Sequence, residues 1–169
     1  MRNKSFMTMS LMAAAFVLGM SSCSKDDDDE KEVDVASQVV GAYAGNEVMT
    51  VMGEDFDRTT TYTFTKTSDM TVDMTIPATD DGGMALPTLV AKNIVLKKSD
   101  VYVSALGANV SGSLESYTGT VTNDEGAEKS YTFSNVHVIF NNNYVVVSYT
   151  LKYGNMPFAF SGEFTGDKK

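Results

Sequence analysis

The chain has 169 residues, 43% of them hydrophobic, with 22 acidic against 13 basic side chains and a formal charge of −9. That length buries one good core and leaves little for a second, and the acidic balance disfavours nucleic acid, whose binding rests on neutralising phosphates. One cysteine, Cys23, and one histidine, His137, exclude an intramolecular disulfide and thiolate-cluster zinc sites, and leave little material for a histidine-dependent catalytic triad.

Residues 1–22 have the pattern of a secretory signal. Arg2 and Lys4 supply the positive start, an apolar run extends from Phe6 to Met20, and Ser21 and Ser22 stand before Cys23. The run is too short for a transmembrane helix, which needs about 20 apolar residues. Removing the segment lowers the basic count from 13 to 11 and takes the formal charge to −11. Met20-Ser21-Ser22-Cys23 resembles a bacterial lipobox. That resemblance implies cleavage before Cys23, attachment of diacylglycerol to its thiol, acylation of the new N-terminus, and anchoring by palmitate-type chains whose burial contributes about 0.8 kcal/mol per CH₂.

Ser24-Lys25-Asp26-Asp27-Asp28-Asp29-Glu30 is similar to the acidic export signal of Bacteroidetes surface lipoproteins. The resemblance implies the outer leaflet of the outer membrane and the cell surface, with a periplasm-facing position as the alternative. Residues 23–35 are expected to be a charged tether whose like charges extend it to a reach of about 40 Å. The folded domain is expected over 36–169.

A short helical turn is expected near Val35 to Val40; from Gly41 onward the period is two, with Thr, Val, Tyr and Phe enriched. Strands are expected at 42–52, 58–67, 69–76, 89–98, 101–105, 113–122, 129–140, 143–153 and 157–165. They number eight or nine, according to whether 101–105 continues its neighbour. Asn123-Asp124-Glu125-Gly126 and Asn141-Asn142-Asn143 should close hairpins, and Tyr153-Gly154-Asn155-Met156-Pro157 should reverse the chain again. Alternation puts Tyr62 and Phe64 on one face, as it does Met70, Val72, Met74 and Ile76, and Val145, Val147, Tyr149, Leu151 and Tyr153. Phe158, Phe160 and Phe164 line up, and Gly162 between them suggests a bend or a close approach. Such a meander closes into an all-β antiparallel barrel or splits into two packed sheets.

Val39-Val40-Gly41-Ala42-Tyr43-Ala44-Gly45 and the closing FAFSGEFTG at 158–166 resemble the calycin-like domain of Bacteroidetes lipoproteins. That resemblance implies an eight-stranded up-and-down barrel akin to the lipocalins. Gly41-Ala42-Tyr43 stands where a lipocalin carries Gly-x-Trp, and the chain has no Trp. Tyr43 can still plug a closed end if its hydroxyl finds a partner.

His137, in a strand with no second histidine or acidic cluster nearby, reads as structural. Glu54-Asp55-Phe56-Asp57 and Asp80-Asp81-Gly82 are acidic loops that offer carboxylates to calcium without the spacing of an EF-hand. No catalytic residue, metal site or cofactor is expected, and the chain is read as a non-enzyme. The candidate ligand-lining residues are Met49, Tyr62, Phe64, Met70, Met74, Val147, Tyr149, Phe158 and Phe160, where flexible thioethers and aromatics would line an apolar pocket at a barrel mouth. Against this stands a core filled by its own side chains. The two functional expectations follow. One is a small hydrophobic ligand bound at the mouth; the other is a filled barrel that contacts a protein or glycan partner in an outer-membrane complex.

Overall fold

The computed structural model describes residues 34–80, 85–103 and 108–169. The signal segment, Cys23, the acidic run, and Asp81 and Gly82 of the second acidic loop therefore lie outside the described residues. A single helical turn, α1 (Ala36–Val39), precedes eight strands: β1 (Gly41–Val51), β2 (Glu54–Ser68), β3 (Thr71–Ile76), β4 (Leu89–Val103), β5 (Ala108–Thr122), β6 (Glu128–Asn141), β7 (Tyr144–Tyr153) and β8 (Phe160–Lys168). Each strand pairs with the next in sequence, and β1 pairs with β8, from Tyr43 opposite Lys168 to Thr50 opposite Ser161. The result is an all-β, up-and-down antiparallel barrel, the closed form of the two that the alternation left open and the one that the resemblance implies.

The boundaries sharpen several expectations. The segment expected at 101–105 continues β4 as far as Val103, so the strands number eight. β2 begins at Glu54, so Glu54 to Asp57 belong to a strand and not to a loop. β8 begins at Phe160, which leaves Phe158 in the bend before it. Met52 and Gly53 form the tight turn between β1 and β2, both with positive φ (51° and 87°), as the right-handed twist of a two-residue hairpin requires.

Inward positions follow the period of two. On β7, Val145, Val147, Tyr149, Leu151 and Tyr153 are buried, and on β8 Phe160 and Phe164. Outward positions are mostly polar: Thr63, Thr65, Lys92, Lys97, Thr118, Thr120, Lys152, Glu163 and Thr165 are exposed, with Val95 and Ile139 as apolar exceptions. A membrane-crossing barrel carries an apolar band on its outside; this barrel has the reverse arrangement. Among the described residues no helix is long and apolar enough to cross a membrane.

One end of the barrel is plugged. Val35, Ala36 and Val39 are buried there, so the chain joins the core one residue before the expected domain start. The Ala36 N–H donates to Asp69 O at 2.9 Å, and the Tyr43 hydroxyl donates to Val39 O at 2.9 Å. Lys168 Nζ lies 5.8 Å above the Tyr43 ring and donates to Gln38 O at 3.2 Å. Tyr43 thus has the partner that its burial requires. Asp34 accepts from the Ser37 N–H and hydroxyl at 3.0 and 2.6 Å and pairs with Lys66 at 2.6 Å, tying the entering chain to β2.

Of the register shifts in the wall, two centre on a residue with positive φ. At Asn93 (φ 61°), Lys92 and Asn93 face the single residue Asp73, whose Oδ1 accepts the Asn93 N–H at 2.9 Å. At Asn135 (φ 52°), Asn135 and Val136 face the single residue Tyr149. An extra residue on one strand bends it and re-aims the neighbouring side chains.

Candidate functional site

The barrel interior is filled by side chains. At the plugged end Tyr43, Phe64 and Phe140 pack on one another with ring centroids 4.9 to 5.8 Å apart. Farther along the axis Tyr62 stacks on Phe164 at 4.0 Å, and Phe133 meets Tyr149 edge-on at 5.4 Å. Of the nine residues expected to line a ligand, Met49, Tyr62, Phe64, Met74, Val147, Tyr149 and Phe160 are 0 to 3% exposed and belong to this core. Met70 is half-buried and packs against it. Phe158 is half-buried in the bend before β8.

Within this apolar interior lies a polar cluster that sequence reasoning missed. Glu47 of β1 is 0% exposed. Its Oε1 accepts hydrogen bonds from the hydroxyls of Tyr62 on β2 and Tyr149 on β7, the latter at 2.5 Å. Its Oε2 accepts from Arg58 Nε on β2, forming an ion pair in which the arginine side chain is 7% exposed. The two hydroxyl oxygens are 3.1 Å apart. Burying a lone carboxylate costs several kcal/mol; here one cation balances the charge and three donors occupy its oxygens.

Each partner arrives for a local reason. Glu47 and Arg58 sit opposite each other in the hairpin turned by Met52 and Gly53, so one register places both inside. Tyr62 is four residues beyond Arg58 and keeps the same parity. Tyr149 reaches from β7 across the neighbouring β8 at Gly162, where any Cβ would lie 2.2 Å from its ring carbon Cζ. Gly162 is therefore the close approach suggested by the sequence. Burial drives the Tyr62 and Tyr149 hydroxyls well above the usual tyrosine range, and the Glu47 charge adds to this. Both remain protonated donors at neutral pH. The signal for Glu47 and Arg58 lay in parity: each occupies an inward position of an alternating strand, Glu47 with Tyr43 and Met49, Arg58 with Tyr62 and Phe64.

The hollows lie at the surface. One of 260 Å³ at the end opposite the plug is lined by Leu86, Pro87, Asn123, Asp124, Glu125 and Tyr153. A second, of 430 Å³, runs over the outer wall above Ser111, Gly112 and Ser113, between Val95 and Lys97 on one side and His137 and Ile139 on the other. His137 thus faces outward. Among the described residues no group of three His, Cys, Asp or Glu side chains could hold a metal ion.

Fold and cluster together define a closed, filled antiparallel barrel with a polar outer wall and one neutral ionic cluster at its axis. No family model matches the chain, and no curated protein does. Among solved structures it is similar to the crystal structure of a candidate outer membrane protein from Bacteroides fragilis NCTC 9343, with a TM-score of 0.59 and 19% identity. The match covers 80% of this chain and 53% of that one, so the chain spans about half the length of its structural neighbour. At that identity the likeness concerns the fold.

Proposed function

We propose that this chain is a lipid-anchored protein of the outer membrane, acylated on Cys23 and exposed at the cell surface, whose barrel serves as a non-enzymatic interaction module for a protein or glycan partner. The observation that carries this reading is the filled interior: Met49, Tyr62, Phe64, Met74, Val147, Tyr149 and Phe160 pack on their neighbours, and the hollow at the end opposite the plug is 260 Å³. Pockets for drug-sized ligands run from about 300 to 1,000 Å³ and enclose most of the ligand. A small hydrophobic ligand inside the barrel would have to displace this core, and the 430 Å³ hollow lies on the outer wall, so recognition falls to the outer surface.

The polar outer wall supports an external anchor, since strands of this kind do not dissolve in lipid. Met20-Ser21-Ser22-Cys23 supplies the acylation motif and the acidic run after it supports surface export. The outer-membrane description of the structural neighbour agrees with that placement.

The test is metabolic labelling of cells with an alkyne fatty acid. Wild-type protein should take up label, fractionate with the outer membrane and be shaved by external protease, whereas Cys23→Ala should lose label and membrane association. Purified barrel should show no saturable uptake of fatty acids or hydrophobic dyes. Label retained by Cys23→Ala would refute the anchor, and stoichiometric dye binding with displaced core resonances would restore the ligand-carrier reading.

A further inference from the structure

The barrel is closed, but one seam is short. β2 has 15 residues and β3 has 6, and their ladder ends where Thr63 meets Thr75. On its other side β2 pairs with β1 along the whole span from Glu54 opposite Val51 to Phe64 opposite Gly41. Among the described residues, 54–62 thus have a strand neighbour on the β1 side alone. No backbone hydrogen bond links them to the chain that follows β3 among the described residues. Every second residue of this stretch directs an N–H and a C=O away from β1, and a strand edge of this kind is a template for another chain. The edge is about 30 Å long.

Its side chains specify what fits. Asp55, Asp57 and Thr59 are exposed on the outer face, and Glu54 stands beside the turn. Thr50 holds the Asp55 carboxylate at 2.7 Å. On the other face, Phe56 and Thr60 are half-buried, and Arg58 is neutralised by Glu47. Residues directly opposite on paired strands share a face. An added strand therefore meets the carboxylates of Asp55 and Asp57 with one set of alternate residues and, with the other, the half-buried row of Phe56 and Thr60, where Arg58 already has its counter-ion and uncharged side chains fit. A second copy of the same edge, paired antiparallel about Arg58, would set Asp57 against Thr59 and Asp55 against Thr61, offering neither carboxylate a cation.

We propose that the free edge of β2, residues 54–62, docks an extended segment of a partner protein that alternates basic and apolar residues. This deepens the interaction-module reading and rests on it. Backbone hydrogen bonds supply affinity, while Asp55 and Asp57 select for lysine or arginine and against acidic strands.

The experiment uses the barrel with its ¹⁵N-labelled amides, a nine-residue peptide of alternating lysine and valine, its glutamate-valine counterpart, and a version of the first N-methylated at alternate positions. In the free protein, alternate amides of 54–62 should exchange rapidly while those of 63–68 are protected. The basic peptide should bind saturably and protect those fast amides. The acidic and N-methylated peptides should bind at least about tenfold more weakly. Asp55→Lys with Asp57→Lys, checked by an unchanged thermal melt, should invert the charge preference. Absence of binding, equal binding of both charges, or protection mapping elsewhere would overturn the proposal. Protection of these amides through concentration-dependent dimerisation without peptide would overturn it in favour of a second copy. None of these outcomes bears on acylation of Cys23, so the two readings fail separately.

Discussion

Replacing Glu47 by Gln keeps the shape of the side chain and removes its charge, leaving Arg58 buried at 7% exposure with no counter-ion. Breaking a buried pair by removing one partner costs about 3–5 kcal/mol. The substituted amide would still accept from the Tyr62 and Tyr149 hydroxyls, so the loss should track the stranded guanidinium and not the tyrosines. Domains of this size have about 5–15 kcal/mol in total, and the loss corresponds to a fall of roughly 6–20 °C in melting temperature. Arg58→Met strands the carboxylate instead, but two hydroxyl donors remain on it. Its cost should fall near the lower end, about 3 kcal/mol. The double variant removes both charges and should cost much less than the sum, with a coupling energy of about 2 kcal/mol or more. Urea unfolding of the four proteins at constant m-value measures this cycle. A Glu47→Gln loss below about 1 kcal/mol, or additive single losses, would refute the claim that the pair is buried and mutually dependent.

Three further outcomes follow from other contacts. Gly162→Ala should lose about 1–3 kcal/mol or more in urea, because the new methyl invades the Tyr149 ring; adding Tyr149→Ala should remove that increment. In an alkaline titration followed by tyrosinate absorbance, Tyr43, raised to about 12 by burial, and Tyr62 and Tyr149, raised well above the ordinary value of 10 by burial, should ionise late. Folded values above the unfolded value of 10 mean that this part of stability is intact below pH 10 and fades as pH rises beyond it, so ionisation of Tyr62 and Tyr149 should coincide with unfolding; early titration of every tyrosine would contradict the burial. Asp34, held near 2 by Lys66 and then by Ser37, should titrate there by NMR. Its contribution is present above pH 3.8 and fades between 3.8 and about 2, and Lys66→Ala should move the midpoint back toward 3.8.

The strand pattern was legible in the chain because antiparallel strands with one wet face record their orientation in every second residue. Val145, Val147, Tyr149, Leu151 and Tyr153 were readable as one face from their spacing alone. So was the role of Gly162, since a glycine among alternating phenylalanines implies a neighbour that leaves no room for a Cβ. Glu54 to Asp57 misled because acidic residues are depleted in strands, and the two-residue turn at Met52 and Gly53 carries the strand on regardless. Phe158 misled in the other direction, its spacing continuing the phenylalanine series across a bend.

What the chain writes in its own order is local: the period of two, the turn chemistry, a lone cysteine at the end of an apolar run, and the parity that turns Glu47 and Arg58 inward. Which inward residues meet was settled by closure of the barrel. Tyr149 reaches Glu47 across 102 positions of chain, a distance that hairpin rules do not span, because closure leaves β8 alone between β7 and β1, with Gly162 beside Tyr149. Closure also settled that the interior is full and that β2 outruns β3. Both depend on how eight strands of unequal length share one wall, and pairing across a wall is a property of the closed sheet that no single strand carries.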